Sequence, residues 1–218
     1  MHLPDPPRTR RREALRLLGT AAVLAAPAVR HAAEAAPAPA ASAVAAATPV
    51  QTEGPFYPRE RPAERDADLL RVGPRAPARG TPAWVEGTVT DLDGRPLRGA
   101  TVEIWQCDAD GHYLQARARS ADADFQGYGE AVLGADGRYR FRTLRPVPYP
   151  GRAPHIHFKL RLGGRELLTT QLYVEGDPRN MGDVLWRRLG AAQRAALTRP
   201  FLPASDGLRA DFPIVVAT

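Results

Sequence analysis

The sequence predicts a mainly β protein: a two-sheet antiparallel β-sandwich with long loops and one short C-terminal helix. Three observations carry the prediction. Short runs rich in β-branched and aromatic residues recur between residues 83 and 174. Asp-Gly turns punctuate them at Asp93-Gly94, Asp110-Gly111 and Asp136-Gly137. The chain shows no internal repeat, phosphate-cradling glycine loop or nucleophile elbow. Short strands at this spacing, closed by Asp-Gly turns, describe a sandwich.

The elements follow in order. Thr52-Glu53-Gly54-Pro55-Phe56-Tyr57-Pro58 places glycine and two prolines around two aromatics, which makes a rigid loop. Residues 59–80 are charged and proline-rich and wrap the surface. Strands are expected at 83–90, 100–106, 138–143, 156–162 and 167–174, with a last one at 211–216. Gly163-Gly164 closes the fourth of these onto the fifth. A helix is expected over 183–197, where Val184, Leu185, Leu189, Ala192 and Leu197 recur at helical spacing.

Three domains are expected along the chain. Arg10-Arg11-Arg12 followed by the short apolar stretch Leu17 to Val29 and small residues around Ala32-Ala33 reads as a twin-arginine export signal over 1–36. The apolar stretch is well short of the ~20 residues a membrane span needs. Residues 37–50 are low-complexity and read as a flexible linker. Residues 51–218 form the β-sandwich. The protein is therefore expected in the periplasm or outside the cell, with no stable membrane association once the signal is removed.

The formal charge of the 218-residue chain is +6, and half of it leaves with the signal, whose six arginines face Asp5, Glu13 and Glu34. The remainder interleaves arginines and acids and has no footprint for nucleic acid. Cys107 is the single cysteine, so no internal disulfide forms. It reads as a small buried residue.

Only His112, His155 and His157 remain after the signal, so any histidine site draws on these. His155 and His157 alternate along a strand and share a face with Lys159 and Arg161, opposite Ile156, Phe158, Leu160 and Leu162. That placement points to a pocket or to solvent. Tyr149 lies between Pro148 and Pro150 on a stiff loop entering the histidine strand, and Tyr113 follows the Asp110-Gly111 turn. Tyr139 and Tyr173 alternate within strands and read as packing residues. Two imidazoles with two phenolates form a mixed N and anionic O set suited to ferric iron. Three readings of the residues stay open: a ferric enzyme, a zinc or copper protein using the His-x-His pair, and a non-catalytic transthyretin-like sandwich.

The segments Gly87 to Gln106, Gly111-His112-Tyr113, Tyr139 to Thr143, Arg152-Ala153-Pro154-His155-Ile156-His157-Phe158, Thr169 to Tyr173 and Gly176-Asp177-Pro178 resemble the intradiol ring-cleavage dioxygenases. The likeness is to the protocatechuate 3,4-dioxygenase β-chain type and covers about residues 50–216. It implies Fe(III) held by Tyr113, Tyr149, His155 and His157. It implies that Arg152 stands beside the ring carbon that O₂ attacks, supported by Gln171, and that Tyr57 lines the substrate pocket. The implied reaction opens a catechol-type diol with O₂ to a cis,cis-muconate-type diacid. Which catechol is accepted is not readable; for a carboxylated ring, Arg117 or Arg119 would be the cationic partner. The family often has Arg-Pro-Ala before the first histidine, where this chain has Arg152-Ala153-Pro154. A chain with its own full ligand set fits a homo-oligomer or a monomer.

Overall fold

A computed structural model describes residues 46–116 and 120–218. The expected export signal, most of the expected linker, and Arg117 and Arg119 lie outside the described residues. Among the described residues ten strands build two sheets. The first sheet centres on β1 (Pro82–Asp91), with β4 (Arg138–Leu144) antiparallel along one edge. Two short strands, β9 (Gly207–Asp211) and β10 (Ile214–Val216), run parallel along its other edge, and β8 (Leu202–Ala204) pairs β9. The second sheet has the order β3-β2-β5-β6-β7, formed by Tyr128–Val132, Thr101–Trp105, His155–Leu162, Arg165–Val174 and Thr198–Arg199. The inner faces meet in a core that includes Val85, Ile104, Phe141, Ile156, Phe158, Leu172 and Phe212.

The sandwich departs from the sequence expectation in three ways. The sheets are mixed rather than antiparallel, because β9 and β10 run parallel to β1 and β7 runs parallel to β6. The single last strand is two, broken at Phe212-Pro213. Phe212 presses its carbonyl on Gly87, where an added Cβ would lie 2.3 Å from the oxygen, and Pro213 has no N–H for the ladder. The one C-terminal helix is also two, α1 (Val184–Arg187) and α2 (Ala191–Leu197). Gly190 between them is extended (φ −69°, ψ 165°), and its N–H is taken by Gln193 Oε1 at 2.9 Å. Among the described residues no helix is long and apolar enough to cross a membrane.

The outer face of the second sheet is covered. Thr48 pairs its backbone N–H with Val215 O (2.8 Å) at the edge of the first sheet. Gln51 N–H then reaches Thr169 O (2.8 Å), and Thr170 Oγ1 donates to Pro49 O (2.6 Å), both on the second sheet. From there the chain crosses the outer face to Glu130 N, which bonds Arg65 O, and on to Arg142 O, which accepts from Leu69 N. The end of the expected linker is thus part of the folded unit. His155, His157 and Lys159 are buried as deeply as the core residues on the opposite side of β5. Of the pocket or solvent expected for this face, His155, His157 and Lys159 take an enclosed position.

Candidate metal centre

Local chain chemistry places each tyrosine. Asp108 Oδ1 accepts the N–H of Asp110 and of His112, both at 2.9 Å, and Oδ2 accepts Asp122 N–H at 2.8 Å. This side-chain-built turn delivers Tyr113 at the end of β2's exit loop. Tyr149-Pro150-Gly151-Arg152 forms a second turn, closed by Arg152 N–H to Tyr149 O at 2.9 Å. Pro150 fixes the second position and Gly151 (φ +81°) takes the third, the type II arrangement. The turn sets Tyr149 and Arg152 side by side before β5 begins. Cross-strand register does the rest, with His157 opposite Trp105 on β2 and Gln171 on β6, and His155 opposite Tyr173.

The four expected ligands converge. The ring centroids of Tyr113 and Tyr149 are 5.5 Å apart, those of Tyr149 and His155 5.5 Å, and those of His155 and His157 4.7 Å. His155 Nδ1 lies 2.7 Å from Ala153 O. A carbonyl only accepts, so Nδ1 carries the proton and Nε2 presents its lone pair. That atom is 3.1 Å from His157 Nε2. Tyr113 Oη is buried and has no hydrogen-bond partner among the described residues. An orphaned phenol beside two converging imidazole nitrogens is costly in a plain core. It is what a cation site requires.

The electrostatics agree. Burial, with the Arg152 charge adding to it, lowers the His155 pKa to about 3. Burial, His155 and Arg152 hold His157 neutral as well. Burial pushes Tyr113 well above the ordinary phenol value, with Cys107 and Tyr149 adding to it. Tyr149 is raised by burial and partly relieved by Arg152. The bare chain therefore offers two neutral imidazoles and two phenols that ionise only if a cation compensates them. A hard trivalent ion fits that set better than zinc or copper(I), which favour softer or fewer anionic donors.

Arg152 borders the cluster. Its Nη1 is 3.3 Å from Tyr149 Oη, its Nη2 is 2.6 Å from Gln171 Oε1 and 3.3 Å from Tyr173 Oη, and its Nε is 2.9 Å from Asp183 Oδ2. A guanidinium has five N–H donors. One Nη1 hydrogen is left over among the described residues. Gln171 is held at both ends, since its Nε2 donates to Thr52 O (2.8 Å) and its Oε1 accepts from Arg152 and from Tyr173 Oη (2.9 Å). It stands behind the guanidinium as a support.

Tyr57 lies edge-on against Trp105, with ring centroids 5.0 Å apart. Its hydroxyl donates to buried Glu103 Oε2 at 2.6 Å, and Lys159 Nζ sits 4.0 Å above its ring. Phe56 also stands beside the cluster, stacked on Tyr113 at 4.3 Å and edge-on to Tyr149 at 5.9 Å. One packing expectation is corrected here. Tyr173 is more than a packing residue, because its hydroxyl joins Gln171 and Arg152. Sequence reading missed Asp183, Tyr173 and Trp105, the last stacked face-on against His157. Cys107 is buried as expected, and burial together with nearby Asp108 pushes its thiol up to about 12.

A family model described as Dioxygenase matches residues 52–200, which include all four ligand positions. The chain is 32% identical over 178 residues to catechol 1,2-dioxygenase 1 of Acinetobacter lwoffii, an alignment covering 73% of this chain and 55% of that one. It is 35% identical over 164 residues to the protocatechuate 3,4-dioxygenase beta chain of Burkholderia cepacia, covering 67% and 68%. A solved dioxygenase domain from a dioxygenase carbohydrate-binding protein fusion of Streptomyces sp. SirexAA-E superposes with a TM-score of 0.64 at 34% identity, over 79% of this chain and 99% of that one. With a matching fold and converging donors, the chain belongs to the intradiol ring-cleavage dioxygenase family. It spans about half the length of the curated catechol and hydroxyquinol 1,2-dioxygenases it matches.

Proposed function

We propose that this protein cleaves a catechol-type diol between its two hydroxyl-bearing carbons, using O₂ and giving a muconate-type diacid. The observation that supports this best is the buried Tyr113 Oη, unpartnered among the described residues, beside the paired Nε2 atoms of His155 and His157. Tyr113, Tyr149, His155 and His157 would hold Fe(III). When bound, that ion supplies Lewis acidity toward the two oxygens of the diol.

The chain's own residues supply the rest. Of the two ligand phenols Tyr149 is the one bonded to a cation, with Arg152 Nη1 3.3 Å from its Oη, which favours its phenolate, and that phenolate is suited to take a proton from the incoming diol. Arg152 keeps one free Nη1 hydrogen for oxygen that gains negative charge, as a preorganised donor in a dry site should. Gln171 and Tyr173 keep Nη2 from turning into the site. Phe56, packed on Tyr113, excludes water from the phenol side. The matching relatives are named for catechol, hydroxyquinol and protocatechuate, and the ortho-diol common to those names is the substrate class proposed here. The twin-arginine segment supports action outside the cytoplasm.

The test is an absorption spectrum of the ferric-loaded protein, before and after anaerobic catechol. Phenolate ligation gives a coloured protein whose band moves to longer wavelength on chelation, and admitting O₂ then yields a diacid. A colourless protein that retains no iron would refute the proposal.

A further inference from the structure

Asp183 lies at the start of α1 with its carboxylate fully enclosed, and both its oxygens are occupied. Oδ1 accepts the backbone N–H of Leu185 at 2.8 Å and of Trp186 at 3.2 Å, capping the helix. Oδ2 accepts Arg152 Nε at 2.9 Å and the backbone N–H of Ala153 at 2.9 Å. The residue order matters at this point, because a proline at 153 would have no N–H to give. From Ala153 the path continues, since its carbonyl holds His155 Nδ1 at 2.7 Å. From Arg152 it continues through Nη1 to Tyr149 Oη. One carboxylate therefore braces the immediate polar partners of two candidate ligands, Tyr149 and His155.

A capping role alone does not account for this residue. Asn or Ser caps a helix about as well with one oxygen. Only a carboxylate adds a second oxygen that takes two more donors, and a charge opposite the guanidinium, which strengthens and shortens those bonds. We infer that Asp183 is a positioning residue of the centre, one that fixes where Arg152 presents its remaining N–H and how the His155 ring is held. What Arg152 is positioned to do rests on the ring-cleavage reading above. The positioning itself is a property of the chain.

Two variants that keep the cap, Asp183→Asn and Asp183→Ser, test the inference with two readouts. The first is solvent exchange of the Arg152 Nε–H in the metal-free full chain by ¹H–¹⁵N NMR, with the signal identified by its loss in Arg152→Lys. The wild-type proton should exchange slowly, and Asp183→Asn should speed exchange by about tenfold or more. The second is steady-state kinetics of the ferric protein with catechol. kcat should fall by about 10²-fold while KM moves by less than about threefold, the pattern of a misplaced group rather than lost binding. A freely exchanging Arg152 Nε–H in the wild type overturns the inference even if neither variant folds. So does an unchanged kcat in Asp183→Asn. Should the wild type open no catechol while its Nε–H is protected and released by the substitution, the ring-cleavage reading fails and the positioning stands.

Discussion

Trp105 lies face-on to His157, with ring centroids 4.7 Å apart and planes 5° from parallel. The two residues are register partners on β2 and β5, so the sheet itself sets the stack. Trp105 is fully buried and its Nε1 makes no hydrogen bond among the described residues, so its role is surface and shape. Trp105→Ala should cost about 3–5 kcal/mol in urea unfolding, the range for emptying a buried aromatic site. It should also free the imidazole to rotate and lower iron retention. Trp105→Phe keeps a stacking face and should hold its iron better than Trp105→Ala.

Tyr113 and Tyr139 make a matched pair of buried phenols with opposite expectations. Tyr139 Oη donates to Phe212 O, and Tyr113 Oη has no acceptor among the described residues. In the metal-free protein, Tyr113→Phe should be neutral or stabilising by about 1 kcal/mol, because it removes an unsatisfied buried hydroxyl. Tyr139→Phe should be destabilising by a similar amount, since it orphans a carbonyl. With iron added the order changes, and Tyr113→Phe should lose colour while Tyr139→Phe keeps it. Chemical unfolding and absorption spectra of both variants, with and without iron, check this.

Arg152→Ala should retain the four ligands and the colour yet lose turnover by about 10²–10³-fold, the usual effect of deleting one preorganised donor. Arg152→Lys should not rescue it, because an ammonium cannot engage Asp183, Gln171 and Tyr149 in three directions. Normal turnover in either variant would remove Arg152 from the chemistry.

The Asp183 carboxyl gives a signed pH dependence. Burial alone would raise its pKa, but the Ala153 N–H and the Arg152 guanidinium outweigh that and hold it below the ordinary value. The folded state thus binds this proton less tightly than the unfolded chain. Its contribution to stability is complete above about pH 4 and fades as pH falls through the depressed folded value. Wild type should therefore be more stable than Asp183→Asn near neutrality, and the gap should close below about pH 4. Urea midpoints of both metal-free proteins across that range measure it.

Gly54 carries the chain over His157, with a would-be Cβ at 3.5 Å from Cε1 and a φ of +73°. The space is adequate and the backbone is not. Gly54→Ala should cost about 1–2 kcal/mol through left-handed strain and should loosen Phe56 from Tyr113, detectable as faster quenching of tyrosine fluorescence.

The parts of the site that the sequence made legible are those written in local grammar. His155 and His157 are one strand period apart, and Tyr149-Pro150-Gly151-Arg152 spells its own turn. The parts it hid depend on distant pairing. Asp183 reads as an ordinary helix cap, and its second oxygen acquires meaning only when α1 docks beside Ala153. Tyr173 alternates correctly but looked like packing, because both faces of β6 are interior and polarity no longer separates them. Strand β3 escaped notice because Gly129 interrupts its pattern. That glycine is required because the overlying chain brings Asp66 O to within 2.6 Å of any Cβ there. Lys159 and Arg161 suggested an open face for the same reason, since the cover comes from residues far upstream. Lys159 is instead enclosed and paired to Glu53 and Glu166.

The clasp that begins at Thr48 also bears on timing. Val215 N–H closes on Thr48 Oγ1 across 167 residues, joining the first sheet to a segment that next binds the second. Contacts of such separation form late and slowly. The roof over His157 hangs from that clasp, so on the proposed reading iron capture would come among the last events of folding, and a nascent or half-assembled chain would leave the ion in solution. Colour would then report completion: refolding followed by the appearance of the phenolate band should lag behind the return of β-sheet signal.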